Sequence, residues 1–228
     1  MYAWKCWRDT RFFFLAFLII AAAAMPVAAA VSTGTHLIEQ FGTMAFQATF
    51  SMLVTIVALA LGAISAIQEF TEKTAHFLFT KPRSRAYFVW VSWAIGCAEL
   101  TAIAAMNFLS GWLTLARYGS NSFPSHLFGS IRGEQIAQAV IQGFFVYALT
   151  YALTAILRNG LKGLGASFLI MTGLNGVVIA ADIGWRVHLP MPSEQIGSLS
   201  SEASGIVWVF IALLFVFVAQ VVIERAEI

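Results

Sequence analysis

Charged residues are scarce in this chain. Only 11% of its 228 residues are Asp, Glu, Lys or Arg, whereas a soluble domain carries roughly 25%. Hydrophobic residues make up 60% of the sequence, and its mean hydropathy is +0.82. A chain with so few polar side chains cannot cover a globular surface with them, which excludes a soluble domain. The composition predicts a polytopic membrane protein whose main solvent is the bilayer.

Residues of metal, redox and nucleotide chemistry are also sparse. The two cysteines, Cys6 and Cys97, have no metal or redox spacing, so we expect two free thiols. His36, His126 and His188 fall in separate connections, where solvated side chains are expected more than a metal or haem site. No phosphate loop of the form G-x-x-x-x-G-K-[ST] occurs, because NGLKGLG at residues 159–165 has the wrong spacing. We expect no catalytic residues and no metal site.

Six apolar stretches are long enough to span a bilayer, since a spanning helix needs about 20 mostly apolar residues. They cover residues 12–31, 42–67, 86–115, 135–157, 163–184 and 205–223. The third stretch is long, and we expect it to tilt or to break near Gly111. The connections are short, so the sequence predicts an all-α protein with six transmembrane helices in one domain, residues 1–228.

The basic residues fall unequally on the two sides of these spans. Ten lie on one side: Lys5, Arg8, Arg11, Lys73, Lys81, Arg83, Arg85, Arg158, Lys162 and Arg225. Three lie on the other: Arg117, Arg132 and Arg186. Because Lys and Arg are enriched in cytoplasmic loops, the first group should face the cytoplasm. The sequence predicts a multi-pass protein of the plasma (inner) membrane with both termini cytoplasmic.

The first eleven residues combine bases with Trp4 and Trp7, a composition typical of a helix that lies in the membrane interface. We therefore expect an interfacial helix over residues 1–11. The same bases, the apolar run and the sequence PVAAAVS also resemble a signal peptide with an A-x-A site. The apolar run of about 20 residues is long for a signal peptide, so we expect it to be retained as the first span.

The connection between spans 2 and 3 concentrates charge. If residues 68–80 form a helix, one face is polar and the other is largely aromatic and aliphatic, so the helix is amphipathic. The polar face would contain Glu69, Glu72, Lys73, His76 and Thr80, and the opposite face Phe70, Thr74, Phe77 and Leu78. Pro82 should end this helix. A positive-inside anchor loop would account for the bases, but not for the acidic residues or the two phenylalanines.

Residues 69–85, EFTEKTAHFLFTKPRSR, resemble the first cytoplasmic loop of type-2 permeases of ATP-binding-cassette (ABC) exporters. The family pattern is a Glu, a Thr five residues later, an apolar pair, and Thr-x-Pro-x-Ser-Arg before the third span. The matching residues are Glu69, Thr74, Leu78, Thr80, Pro82, Ser84 and Arg85. The chain departs from the pattern at Lys73, where the family usually has Gly. It also has Val89, Trp90 and Trp93 where the family often has a Lys.

The resemblance implies that residues 68–85 form a coupling helix that rests in a groove of a separate ATPase subunit. The implied contact residues are Glu69, Phe70, Glu72, Lys73, Thr74, Phe77, Thr80, Pro82, Arg83 and Arg85. ATP and Mg would bind to the ATPase, and this chain would bind no cofactor. Its partners would be ABC ATPase subunits, a second permease copy or a paralogue, and the lipid bilayer, without nucleic acid. A small or lipid-like amphipathic cargo is favoured, because no large outer domain could receive a protein.

Polar and small residues inside the spans form a second candidate site. Span 2 carries Gln47, Ser51, Thr55 and Gly62 on one face, and span 5 carries Asn175 and Gly176. Small residues let helices approach closely, so these faces either pack within one bundle or meet a second copy and line a path. The resemblance favours the second alternative, since spans 2 and 5 border the dimer axis in that family. Glu99 lies near the bilayer centre, where a hydrogen bond to another span or a contact with cargo is expected.

Two other functions compete with the exporter hypothesis. A structural or electron-transfer subunit of a larger complex is the main alternative, but haem ligation would require histidines inside spans. An intramembrane enzyme would need a nucleophile and a base at membrane depth. The spans contain no Ser/His set and no paired carboxylates that could provide them.

Overall fold

The computed structural model describes residues 2–31, 35–71, 85–118, 133–180 and 201–225. These residues form six helices, and none of them lies in a strand. The helices are α1 (Tyr2–Val31), α2 (Thr35–Thr71), α3 (Arg85–Tyr118), α4 (Gly133–Leu157), α5 (Gly160–Ala180) and α6 (Ser201–Arg225). The all-α prediction is confirmed for the described part of the chain.

Five of these helices are long and apolar enough to cross a membrane. The candidate spans are Thr10–Val27, Ala48–Ile67, Ala86–Thr114, Ile136–Leu157 and Gly205–Arg225. The remaining helix, α5, has 21 residues, and its side chains are described only over the apolar segment Gly160–Leu174. The helices indicate a polytopic membrane protein, and a sixth span through α5 stays a prediction.

The first helix differs from the prediction. Residues 1–11 were expected to form an interfacial helix of their own, but residues 2–11 are the first turns of α1, which continues without a break to Val31. The continuity has a physical cause, because no Gly or Pro separates the two parts and Thr10 is already buried against α3. The basic N-terminal turns and the first candidate span therefore belong to one continuous helix.

The third helix is unbroken. It runs for 34 residues, which corresponds to about 51 Å at 1.5 Å per residue. Gly111 is buried inside it, and a Cβ atom there would overlap the ring of Phe46 in α2. The glycine allows two helices to approach closely and does not break α3.

Contacts between the helices fix their directions. Thr10 contacts Glu99 and Ala22 contacts Ser110, so α1 and α3 run parallel. Phe46 near the start of α2 faces Gly111 near the end of α3, so those two helices are antiparallel. Val54 and Gly62 of α2 face Gly143 and Thr150 of α4, so α2 and α4 are parallel. Successive helices therefore alternate in direction.

This alternation brings several segments to the same end of the bundle. That end contains the start of α1, the connection between α2 and α3, the turn between α4 and α5, and the end of α6. We call it the basic end, because it holds Arg8, Arg11, Arg158, Lys162 and Arg225. Arg117, in the last turn of α3, lies at the opposite end. Among the described residues, Lys and Arg are therefore more numerous at one end of the bundle, as the sequence predicted.

The core of the bundle is built around α4. Its candidate span is 61% buried, against 17% for that of α1 and 22% for that of α6. Tyr147 and Tyr151 are completely buried, with ring centroids 6.2 Å apart. Because α4 contacts α2, α5 and α6 on its different sides, the other helices are arranged around it, and their outward faces are available to lipid.

Candidate functional site

The predicted coupling segment joins α2 to α3 at the basic end. Glu69 and Phe70 belong to the last turn of α2, and Arg85 is the first residue of α3. The side chains of these three residues, and residues 72–84 altogether, lie outside the described structure. The prediction of a separate amphipathic helix, with its residues Glu72, Lys73, Thr74, Phe77, Thr80, Pro82 and Arg83, therefore lies outside the described residues. The helices on both sides of the segment are described.

The polar face of α2 faces the interior of this chain at Gly62. A Cβ atom at Gly62 would lie 2.8 Å from the backbone oxygen of Tyr147 and 2.9 Å from Cβ of Thr150, both in α4. Ser51 and Thr55 are half-buried, and the Thr55 hydroxyl donates to the Ser51 carbonyl in its own helix at 2.8 Å. The side chain of Gln47 is not described. Gly62 therefore packs within the bundle of this chain, which is one of the two alternatives predicted for this face.

Two glycines of α5 have no neighbour in the described part of the chain. At Gly165 and at Gly173, a Cβ atom would meet no described atom of another residue within 4 Å. Thr172 is exposed, and its hydroxyl donates to the carbonyl of Phe168. Asn175 and Gly176 follow in the same helix, and their surroundings are not described. Gly62 of α2 is thus packed against α4, whereas Gly165 and Gly173 of α5 have no neighbour in the described part of the chain.

Glu99 forms a hydrogen bond to another helix, which is one of the two roles that the sequence predicted for it. It is 4% exposed, and its Oε1 accepts a hydrogen bond of 2.5 Å from the hydroxyl of Thr10 in α1. The Thr10 hydroxyl also lies within hydrogen-bond distance of the Cys6 and Trp7 carbonyls. Glu99 Oε2 is buried and has no hydrogen-bond partner among the described residues. Polar contacts of this kind hold spans together where water is absent.

A second polar contact joins the same two helices farther from the basic end. Pro26 lies inside α1 and has no N–H, so the carbonyl of Ala22 loses the donor that a regular helix would supply. The hydroxyl of Ser110 in α3 donates to that carbonyl at 2.6 Å. The α1–α3 contact thus satisfies a backbone group that the proline leaves without a partner.

Two further buried polar side chains were missed by the sequence analysis. Asn107 in α3 is completely buried, and neither of its amide atoms has a hydrogen-bond partner in the part of the chain that the structure describes. Thr154 in α4 is also completely buried, and its hydroxyl has no described partner. A buried polar group without a partner costs about 1–3 kcal/mol. An Asn inside an apolar run was the available signal for Asn107, because polar groups in spans default to functional hypotheses.

Near the basic end, a chain of hydrogen bonds connects α3 to α6. The indole Nε1 of Trp90 donates to Gln220 Oε1 at 2.9 Å, and Gln220 Nε2 donates to Glu224 Oε1 at 3.0 Å. The rings of Trp90 and Trp93 pack edge to face, with centroids 5.8 Å apart. Trp90 follows the predicted coupling segment by less than two helical turns, so α6 is connected to the start of α3.

The described residues contain no cluster of three or more potential metal ligands. His126 and His188 lie outside the described residues, as does the side chain of His36. Cys6 and Cys97 form no disulfide bond, in agreement with the prediction of two thiols. No protein-family model matches the chain, and no curated protein matches it.

Proposed function

We propose that this chain is the membrane-spanning permease subunit of an ABC exporter, driven by a separate ATPase subunit. The observation that carries the proposal is the resemblance of residues 69–85 to the coupling loop of type-2 permeases. Its cargo would be a small or lipid-like amphipathic molecule, exported across the plasma (inner) membrane. ATP and Mg would bind to the partner, and both termini would be cytoplasmic.

The position of that segment supports the proposal. It lies between the end of α2 and the start of α3, two helices of 37 and 34 residues. At 1.5 Å per residue these helices are about 50 Å long or more, longer than the ~30 Å hydrocarbon core. A force applied at residues 72–84 would act directly on two continuous helices. A soluble motor at the basic end could therefore move segments that cross the whole bilayer.

The hydrogen bonds of Trp90 extend this argument to a third helix. Because Trp90 bonds to Gln220, a displacement of the start of α3 would also pull on the end of α6. A ligand biases a conformational equilibrium only through its different affinity for the two states. The motor must therefore bind residues 68–85 with different affinities in its nucleotide states. The two adjoining helices, α2 and α3, would transmit the resulting movement to the rest of the bundle.

The open face of α5 is the best candidate for contact with a second copy or a paralogue. Gly165 and Gly173 are uncovered by the described part of this chain, and small residues permit close approach of helices. Asn175 and Gly176 continue that helix and belong to the same proposed face. Gly62 is excluded from it, since α4 already covers that position. Glu99 lies in the α1–α3 contact, where it is buried and bonds to Thr10, so we do not include it in this face.

The test is co-purification of the ATPase with charge and aromatic variants of the coupling segment, followed by ATPase and transport assays in proteoliposomes. We expect Glu69→Arg and Phe77→Ala to weaken docking of the motor or the stimulation of ATP hydrolysis by cargo, because buried aromatic and charged side chains often dominate interfaces. The matched controls are Arg117→Glu, which alters charge at the opposite end, and Phe210→Ala, which removes a ring exposed on α6.

The controls should bind the motor and transport normally. If Glu69→Arg and Phe77→Ala also bind it and transport like the unmodified chain, the segment is only an anchor loop and the proposal fails. Correct insertion of each variant is checked by its yield in the membrane fraction and by its helical circular dichroism.

A further inference from the structure

The first turns of α1 present a face of mixed aromatic and basic character, which is exposed at Trp4, Trp7 and Arg8 and half-buried at Arg11. Trp4, Trp7, Arg8 and Arg11 are spaced three and four residues apart, so they lie on one side of the helix. Trp4 is 61% exposed, and its ring packs on that of Trp7 with centroids 5.1 Å apart. We call these four residues the Trp–Arg face. On another side of the same helix, Thr10 is buried against α3.

This face stands at the edge of the first candidate span. The span begins at Thr10, and beyond Arg11 the exposed residues become purely apolar, with Phe12 at 69% and Ile19 at 68% exposure. The outer surface of α1 therefore changes from indole and guanidinium to hydrocarbon within a single turn. Indole rings are enriched at the boundary between headgroups and acyl chains. Arginine extends its charged end to the same level while its stem remains in apolar surroundings.

No carboxylate among the described residues pairs with Arg11. Its guanidinium carbon lies 4.9 Å from the ring centre of Phe12, and its buried Nε has no hydrogen-bond acceptor among the described residues. The first eleven residues contain three bases, Lys5, Arg8 and Arg11, and one acid, Asp9. An arginine offers a planar set of donors that fits the oxygens of a phosphate in two parallel hydrogen bonds. The face has the charge and the donors for a phosphate ligand.

We propose that the Trp–Arg face binds the phosphate headgroup of an anionic phospholipid in the leaflet that surrounds the basic end. The two arginines would bind the phosphate, and the paired indoles would pack on the glycerol and upper acyl region of the same lipid. The site requires that α1 crosses the membrane, and it does not depend on the proposed export function. Electrostatic attraction of this kind corresponds to about a fivefold gain in affinity for each arginine near the surface.

The indoles of the face allow the proposal to be tested on the full chain in vesicles. The chain is reconstituted into phosphatidylcholine that contains either brominated phosphatidylglycerol or brominated phosphatidylcholine, with identical acyl chains. Subtracting the fluorescence of the W4F/W7F variant isolates the contribution of these two rings from the seven tryptophans. We expect brominated phosphatidylglycerol to quench them at a much lower mole fraction. The preference should weaken in 1 M salt, since salt screens exposed charges.

Three variants identify the residues responsible. R8Q/R11Q should lose most of the preference, about 25-fold if the two fivefold contributions add, whereas R8K/R11K should keep much of it. R117Q, which removes an exposed arginine at the opposite end, should keep all of it. Equal quenching by the two lipids in the unmodified chain would overturn the proposal without any variant. A preference that persists in R8Q/R11Q, or that falls equally in R117Q, would also overturn it.

Discussion

The hydroxyl of Thr10 bonds to the carboxyl of Glu99 across 89 residues of sequence and joins α1 to α3. Thr10 is 3% exposed and Glu99 is 4% exposed, so the bond is shielded on all sides. In a membrane there is no hydrophobic force between helices, because lipid tails are as apolar as leucine. A buried polar bond and close packing must therefore hold α1, whose span is otherwise the least buried of the five.

Replacing Thr10 by Val should weaken this attachment. The variant keeps the shape of the side chain and removes the donor, so we expect a loss of roughly 0.6 kcal/mol and at most about 1.7 kcal/mol of stability. Thermal unfolding in lipid–detergent mixtures measures the change. The matched control is Thr101→Val, because Thr101 is exposed and its hydroxyl bonds to the Cys97 carbonyl of its own helix. Equal losses in both variants would contradict a specific role for the Thr10 hydroxyl.

Ser110→Ala should destabilise the chain only while Pro26 is present. With the proline, the Ala22 carbonyl depends on Ser110 for its hydrogen bond, and its loss should cost about 1–3 kcal/mol. In a Pro26→Ala background, the new N–H can donate to Ala22 within the helix, so Ser110→Ala should then have little effect. A double-mutant cycle of thermal unfolding gives the coupling directly. Additive effects of the two substitutions would refute this account of the proline.

Adding one methyl group should have opposite effects at two glycines. Gly62→Ala forces the new Cβ against the Tyr147 backbone oxygen, which cannot move independently of α4, and overpacking of this kind typically costs about 1–3 kcal/mol. Gly173→Ala places its Cβ where no atom of the described residues lies within 4 Å, so it should be neutral or slightly stabilising, because Ala is the better helix former. The measurement is thermal unfolding of the isolated chain. A loss at Gly173 comparable to that at Gly62 would count against the packing described for the two helices.

Accessibility of single cysteines should reveal the orientation of the chain. In a background with Cys6→Ala and Cys97→Ala, a cysteine at Ser84 should react only from the cytoplasm. A cysteine at Ser122 should react only from outside, because the helices alternate in direction and the basic end is expected to be cytoplasmic. A membrane-impermeant maleimide applied to whole cells and to inverted vesicles distinguishes the two. Labelling at Ser84 in whole cells would contradict the proposed topology.

Much of the helical arrangement could be predicted from the sequence, because the length and composition of apolar runs decide where helices can cross a bilayer. Five predicted spans coincide with candidate spans of the structure. Of the two alternatives predicted for the third span, a tilt or a break near Gly111, the break does not occur, because Gly111 marks a close helix–helix contact. The difference depended on Phe46, which fills the space beside Gly111 and lies in another helix.

The contacts of the candidate residues were much less predictable. Glu99 was recognised as unusual because it is an acid in an apolar run, but its partner Thr10 lies in a segment that was expected to lie in the membrane interface. The face of α2 around Gly62 has the same small-residue spacing whether it meets α4 or a second copy of the chain. Spacing along one helix carries no information about which helix lies opposite, and only the packed structure supplies it.

The turn between α4 and α5 has a consequence for how the chain enters the membrane. Only Arg158 and Asn159 separate the two helices, and Arg158 adopts a left-handed backbone conformation with φ of 49°. The Asn159 side chain accepts a hydrogen bond from the Lys162 amide, and its carbonyl accepts one from the Gly163 amide, so the second helix starts at once. Helices joined by so short a connection form an antiparallel hairpin. We therefore expect α4 and α5 to leave the translocon together, as a paired unit.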